Sequence, residues 1–458
     1  MKDNYPGQFS GSAAKWLGLY SILNPQILWT RRHVCGKMRV VEFIRWRKIL
    51  QQVLNRTREH DDHREEKMII KPRVKNFICT TAHPDGCRQN VYEQIQYVKS
   101  QPQTKTKKRT LVIGCSTGYG LSSRICAAWG DDAPTIGVCF ERPASGNRTA
   151  TAGWYNTAAF EEFAKEDGIY AKTICGDAYS KEIKDETAKL ISQDLGQIDL
   201  LVYSLAAPRR QMPDGTVYTS VLKTVDETFT SKSLDLGKNI LTEKTVEPAT
   251  PEEVEATVRV MGGEDWKDWV KALKEKGLLS ENFRTVAYSY IGPEMTYPIY
   301  NDGTIGQAKK DLYNTAVEME KEGVSAYVSV NKAVVTQSSS AIPVVPLYMS
   351  ILYKVMKEKG LHEDTIQQMS RLWNGGLIEG EPKTDIPGRI RLDDWEMRPD
   401  VQGEVQEYWD KLTDENLKEY ADIDGYWEEF YHLFGFSFDH VDYEADTEAE
   451  REIPSISK

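Results

Sequence analysis

The sequence predicts an α/β fold, a doubly wound parallel sheet with a β-hairpin insertion and extra C-terminal helices. Three observations carry that expectation. From about residue 110 onward, short apolar runs alternate with stretches of helical spacing, the pattern of right-handed βαβ units. The first run passes through a glycine-rich turn, "LVIGCSTGYG" (111–120), into the first helix. An acid, Glu141, follows the second run, 21 residues after Gly120.

Taken in order, "MIIKPRVKNFICTTAHP" from Met68 mixes strand and loop character, and "NVYEQIQYVKSQ" has helical spacing at Val91, Ile95 and Val98. "TLVIGC" (110–115) is a strand, "GLSSRICAAWG" a helix and "TIGVCF" (135–140) a strand. "TAAFEEFAKEDG" is a helix, "YAKTICGDA" a strand, "KEIKDETAKLISQDLG" a helix and "IDLLVYSLAAP" (198–208) an apolar strand. The rhythm breaks at about 209–250, where hairpins are expected in a position to cover a ligand at the C-terminal edge of the sheet. "PEEVEATVRVMGGEDWKDWVKALKEKG" returns to helix, followed by the strand "FRTVAYSYIG" (283–292). The helix "GTIGQAKKDLYNTAVEMEKEG" and the strand "VSAYVSVNKAVVT" come next. "VPLYMSILYKVMKEKG" is an apolar helix, and the acidic remainder is largely helical.

Composition narrows the class. The 458 residues are 40% hydrophobic and 28% charged, a globular balance with length for a sizeable core. A net charge of −11 argues against nucleic acid as partner. No apolar stretch is long enough to span a membrane. The seven cysteines form an odd set without a C-x-x-C pair, and several sit inside apolar runs, which points to a reducing compartment such as the cytoplasm. Residues 1–67 differ, holding 13 Lys/Arg against 7 Asp/Glu. A transit peptide, an amphipathic helix over 38–55 and a plain appendage compete for them. The appendage is the expected one, with 68–458 forming a single elaborated domain.

The glycine turn supports two chemistries. Gly114-Cys115-Ser116-Thr117-Gly118 fits the elbow that exposes a nucleophilic serine, which would make Ser116 the centre of a hydrolase. Gly114, Gly118 and Gly120 also fit a dinucleotide cradle, where the helix opening near Tyr119 aims free N–H groups at a pyrophosphate. The strand before it, the helix after it and Glu141 favour the cradle. A carboxylate there holds the adenosine ribose 2′-OH, so NAD(H) is expected over NADP(H), although Arg142 tempers the preference. The serine elbow lacks an oxyanion-hole motif, and the late histidines are expected in exposed stretches. A thioester hydrolase on Ser116 remains the remote alternative.

A nicotinamide site needs a partner that handles protons. "YSYIGPEMTYPIYNDGTIGQAKKDL" (288–312) supplies four tyrosines and two lysines between a strand and a helix. A lysine ammonium beside a phenol lowers its pKa and makes it a usable donor. Tyr300 and Lys309 are nine apart, so they meet only if the chain turns between them. Asn301-Asp302-Gly303 is such a turn, with Thr304 as N-cap. On spacing alone, a tyrosine-rich strand edge with a solvated lysine pair competes evenly.

From about Met68 to the C-terminus the chain resembles the trans-2-enoyl-CoA reductase family, which includes the long, monomeric type of bacterial enoyl-[acyl-carrier-protein] reductase. The motifs are "GCSTGYGLSSRI", "ATAGWYN", "DLLVYSLAAPRR", "VMGGEDW", "AYSYIGPEMTYPIYNDGTIGQAK" and "VSVNKAVVTQSSSAIPVVPLY". The resemblance implies Tyr300 as proton donor, Lys309 on the nicotinamide ribose and Tyr290 in contact with substrate. It implies NADH contacts at Gly114, Cys115, Ser116, Thr117, Gly118 and Tyr119, at Phe140 and Glu141, at Asp177 and Ala178, at Leu205 and Ala206, and at Val334, Val335 and Thr336. It further implies a monomer that reduces the double bond of enoyl-CoA, or of the same acyl group on acyl carrier protein, in fatty-acid metabolism. Tyr300, with help from Tyr290, would stabilise the enolate. The chemistry needs neither metal nor flavin, and no metal-ligand cluster stands out.

Overall fold

The computed structural model describes residues 68–75, 78–336, 339 and 342–456, so the expectations for 1–67, including the helix at 38–55, fall outside the described residues. Seven strands form the central sheet: β1 (Thr110–Ile113), β2 (Thr135–Cys139), β3 (Ala171–Cys175), β4 (Ile198–Tyr203), β5 (Leu279–Ser289), β6 (Ser325–Val330) and β7 (Ile390–Arg391). They lie in the order β3-β2-β1-β4-β5-β6-β7 and pair in parallel throughout. Strand order reverses at β1 and β4, which makes the crevice above their carboxyl ends the place where such sheets bind ligands.

The helices are α1 (Pro84–Ser100), α2 (Gly118–Ile125), α3 (Ala152–Glu166), α4 (Lys181–Asp194), α5 (Pro251–Met261), α6 (Glu264–Glu275) and α7 (Thr304–Lys321). Four more follow: α8 (Val345–Glu358), α9 (Thr365–Leu372), α10 (Pro399–Lys411) and α11 (Ile423–His432). The period-2 alternation of β1 divides them between two faces. Leu111 and Ile113 pack with Ala188 of α4, Trp266 and Trp269 of α6 and Leu312 of α7. Val112 packs on the other face with Leu121 of α2, Phe160 and Phe163 of α3 and Met369 of α9. Every residue of β1 and β2 is buried, as expected of a parallel sheet covered on both sides.

Two sequence expectations need correction. Residues 251–275 are two helices, α5 and α6, because Gly262-Gly263 lets α7 come close. A Cβ on Gly263 would stand 2.1 Å from Thr315 Oγ1, and one on Gly262 would stand 2.4 Å from Asp311 Oδ2. The N-cap of α7 is Gly303, and Thr304 lies inside the helix. Thr304 Oγ1 donates to Val221 O at 2.5 Å, which ties the helix start to the insertion. That insertion holds two antiparallel ribbons, Arg209–Gln211 with Val217–Thr219 and Phe229–Asp235 with Ile240–Val246. Leu234 and Val246 of the second ribbon join the apolar cluster that contains Tyr300, Ile305 and α8. Helix α8 is buried along almost its whole length, as core.

Candidate active site

The residues singled out in the sequence fall on one edge of the sheet. Gly114–Tyr119 follow β1, Phe140-Glu141 follow β2, Asp177-Ala178 follow β3 and Leu205-Ala206 follow β4. Tyr290 follows β5 and Val334–Thr336 follow β6. All six groups therefore sit at carboxyl ends of parallel strands, around the switch point between β1 and β4.

The β1–α2 turn has the backbone of an anion cradle. Gly114 adopts φ +80°, and a Cβ there would stand 2.3 Å from Ser204 O at the end of β4. A Cβ on Gly120 would stand 1.8 Å from Gly114 O, so the turn closes only with glycine. Thr117 at the N-cap makes no side-chain cap bond, and the first turn of α2 carries no acid. Its N–H groups and helix dipole stay available to a pyrophosphate, which is what NADH requires of this loop.

Ser116 is not poised as a nucleophile. Its Oγ donates to Glu141 Oε1 at 2.7 Å. Thr151 Oγ1 donates to the other carboxylate oxygen, Oε2. Glu141 is thus oriented before any ligand arrives, with lone pairs left on both oxygens. Gly153 makes room for it, since a Cβ there would come within 2.0 Å of Glu141 Oε1. Beside Glu141, the Phe140 ring is 77% exposed, an apolar face open at the cleft edge. Two of the described histidines have other partners: His83 Nδ1 accepts from Gly86 N, and His362 Nε2 is 2.9 Å from Glu429 Oε1. His362 is also not exposed as expected, because helix α11 covers it with that carboxylate.

The tyrosine-rich segment divides. Tyr288, in β5, has its hydroxyl 2.5 Å from Ser123 Oγ of α2. Tyr290 and Tyr300 meet edge to face, with ring centroids 4.8 Å apart at 84°. The turn between Tyr300 and α7 is the one the spacing requires, and Gly306 permits it. A Cβ on Gly306 would lie 1.9 Å from Asn301 O and 2.5 Å from Tyr300 O. The Tyr300 backbone carbonyl is thereby laid against the helix at Gly306, three residues before Lys309.

The electrostatics differ from expectation. Burial raises the Tyr300 phenol well above its ordinary value, where a neighbouring ammonium was expected to lower it. Lys309 Nζ instead donates to Tyr288 O at 2.9 Å, and burial lowers it to about 8. The phenol accordingly keeps its proton at neutral pH.

Sequence reasoning missed a second polar group that comes from the C-terminal region. Glu396 is fully buried. Its Oε1 accepts from Tyr290 Oη at 2.8 Å and Tyr348 Oη at 2.6 Å, and its Oε2 accepts from Ala333 N at 2.7 Å. Lys332, 2% exposed, donates from Nζ to Ala333 O at 2.8 Å and lies over the Tyr353 ring at 4.8 Å. Tyr119 Oη donates to Lys332 O at 2.6 Å, which connects the glycine turn to the loop after β6. A single acid in "DDWEMRPD" carries no local signal of this, because its partners are 48 to 106 residues away. Among the described residues no group of His, Cys, Asp and Glu could hold a metal ion, and no helix is long and apolar enough to cross a membrane.

Comparison with known proteins agrees with this geometry. Residues 69–146 match the family described as the NAD(P)H binding domain of trans-2-enoyl-CoA reductase, and 148–378 match its catalytic region. Residues 384–447 match a family described as an enoyl reductase FAD binding domain. The residues there do not fit a flavin dinucleotide. Helix α10 opens on Asp400, paired with Arg398 at 2.9 Å, and the Asp422 carboxylate already caps α11 by accepting from Gly425 N at 2.9 Å. Carboxylates at both helix starts repel a diphosphate, and Val401, Val405, Tyr426 and Phe430 are packed into the core.

A trans-2-enoyl-CoA reductase [NADH] of Ruminiclostridium cellulolyticum is 53% identical over 394 residues, covering 85% of this chain and all of that protein. An enoyl-[acyl-carrier-protein] reductase [NADH] of Psychromonas ingrahamii is 54% identical over 399 residues with the same coverage. The Clostridium acetobutulicum trans-2-enoyl-CoA reductase solved in complex with NADH superposes with a TM-score of 0.81 at 46% identity, over 83% of this chain and 98% of that one. The Treponema denticola enzyme solved with NAD gives 0.81 at 47% identity over the same shares. With two matching regions spanning most of Met68–Lys458 and relatives above half identity, the chain belongs to the trans-2-enoyl-CoA reductase family.

Proposed function

We propose that this chain reduces the C2=C3 double bond of trans-2-enoyl thioesters with NADH, acting on short- to medium-chain acyl-CoA such as crotonyl-CoA. The observation that carries the chemistry is Tyr300: a buried phenol that keeps its proton, on a turn whose backbone packs on α7 at Gly306, three residues before Lys309. NADH, when bound, supplies hydride to the β-carbon. Charge then develops on the thioester oxygen. Tyr300 offers its proton at that oxygen and stabilises the enolate, inside a cluster that excludes water. The α-carbon finally takes a proton. Lys309 orients the nicotinamide ribose, and Tyr290 borders the acyl thioester. Gly114–Tyr119 hold the pyrophosphate, and Phe140 and Glu141 hold the adenosine side. Asp177, Ala178, Leu205, Ala206 and Val334–Thr336 complete the cofactor contacts.

A second reading, reduction of the same bond on acyl carrier protein in fatty-acid biosynthesis, is supported by relatives of either name at the same level of identity. We take residues 68–458 as the catalytic body and 1–67 as an appendage. A monomer is proposed on the family likeness, and a cytoplasmic location on the free thiols at Cys79, Cys87, Cys115, Cys126, Cys139 and Cys175. The test is NADH oxidation with crotonyl-CoA and with crotonyl-carrier protein, for wild type and Tyr300→Phe. Consumption that Tyr300→Phe lowers by at least a hundredfold is expected. No consumption with either substrate overturns the proposal. A variant with residues 1–67 removed should keep full turnover.

A further inference from the structure

We infer that Glu396 is a positioning residue for the reduction. Its carboxylate takes the proton of Tyr290 and the amide of the loop after β6 in one clamp, so Tyr290 meets the substrate with its ring edge and lone pairs. The donation to the enolate oxygen then falls to Tyr300 alone. This rests on the reductase reading above and refines it.

The direction of each hydrogen bond follows from what each group can do. Gln402 Nε2 is 3.1 Å from Tyr348 Oη and can only donate, so it occupies a lone pair of that hydroxyl. Tyr348 is left to send its proton to Glu396 Oε1 at 2.6 Å. Ala333 N–H, at 2.7 Å from Oε2, is a donor by nature. Glu396 therefore meets donors on both oxygens; burial raises its carboxyl, and these donors together with the Lys332 charge oppose that shift. That surrounding suits an ionised, acceptor-only carboxylate. Tyr290 Oη, at 2.8 Å from Oε1, completes the set by donating. A phenol has one proton, and this one is committed to Glu396. Tyr290 stays useful through its ring, which meets Tyr300 edge to face at 4.8 Å and so restrains the phenol that does donate.

The same carboxylate grips Ala333, directly before Val334–Thr336, so one buried charge holds both the substrate-side tyrosine and the cofactor-side loop. Removing the charge should disturb the reaction in two places at once. In Glu396→Gln the amide cannot accept from three donors, and one of the hydroxyls or Ala333 N–H loses its partner.

The experiment measures kcat and the KM for NADH and for crotonyl-CoA in wild type, Tyr290→Phe, Glu396→Gln and the double variant, with thermal melts as a folding control. Tyr290→Phe should lower kcat less than tenfold. Glu396→Gln should lower kcat by tenfold or more and raise the NADH KM. Adding Tyr290→Phe to it should change little further. Were Tyr290 an oxyanion donor, its loss would cost roughly a hundredfold or more in kcat in either background, and that result overturns the proposal. Wild-type kcat and NADH KM in Glu396→Gln overturn it as well. If Glu396→Gln does not fold, Tyr290→Phe alone decides, by which side of those two magnitudes it falls on. An inactive wild type would instead strike the reductase reading, which keeps the two failures apart.

Discussion

Lys309 should destabilise the protein it serves. Its ammonium is lowered from 10.5 to about 8 by burial, and its polar partner is a neutral carbonyl, Tyr288 O. At about 1.4 kcal/mol per pKa unit the upper bound on that cost is about 3.5 kcal/mol. The side chain still meets some solvent, which reduces the cost to roughly 1–2 kcal/mol. The sign follows from linkage. The folded state binds this proton less tightly than the unfolded state, so the penalty is fully present below about pH 8. It is relieved as pH rises from there to 10.5, where the unfolded chain also loses the proton. Lys309→Met removes the charge and also the 2.9 Å hydrogen bond, the latter at a cost of about 1 kcal/mol independent of pH. The comparison to make is therefore between two pH values. Urea denaturation of both proteins at pH 7 and pH 10.5 should show the variant gaining roughly 1–2 kcal/mol relative to wild type at the lower pH. Turnover should fall by about a hundredfold, the scale of a lost orienting contact. A stability difference that does not change with pH would refute the reasoning, because it would mean the ammonium is compensated in the fold.

Four further outcomes are expected. Above about pH 8, kcat/KM should decline as Lys309 loses its charge, and Lys309→Arg should move that limb to higher pH, as pH–rate profiles of the two enzymes will show. Glu141→Ala should narrow the preference for NADH over NADPH by tenfold or more in kcat/KM. Ser116→Ala should keep kcat within about threefold, because that hydroxyl serves Glu141 through a 2.7 Å hydrogen bond and attacks nothing. Gly120→Ala should raise the NADH KM at least tenfold, since its Cβ would stand 1.8 Å from Gly114 O and force the cradle open.

What could be read from the chain was what local pattern encodes. The alternation of apolar runs and helical spacing located all the major strands except the two-residue β7, which has too little sequence to carry a period. The glycine turn and Glu141 were legible because steric permission and a carboxylate at the end of the second strand leave local marks. Spacing left Tyr300 and Lys309 ambiguous, and it was the resemblance to a family motif that singled them out. The break at Gly262-Gly263 was missed because its reason lies on another helix, at Asp311 and Thr315. Glu396 was missed for the same kind of reason. Its function is defined by Tyr290, Tyr348 and Ala333, and no window of sequence contains all four.

The choice between coenzyme A and a carrier protein turns on surface charge. An acidic carrier domain needs a basic patch on its partner, and Arg209-Arg210 is a candidate beside the insertion. The fold uses half of it internally. Arg210 is 5% exposed, donates to Glu264 Oε2 at 2.8 Å and Arg259 O at 2.9 Å, and stacks its guanidinium over Tyr179. Arg209, by contrast, faces solvent. One exposed arginine on a protein of net charge −11 gives weak electrostatic steering toward another anion. A small anionic cofactor has no such need, because the open N-terminus of α2 supplies positive potential inside the cleft, where net charge matters least. The same economy extends to a coenzyme A substrate, whose phosphates can be met by single side chains and backbone groups. On these grounds we propose that the soluble thioester is preferred over the protein-bound one.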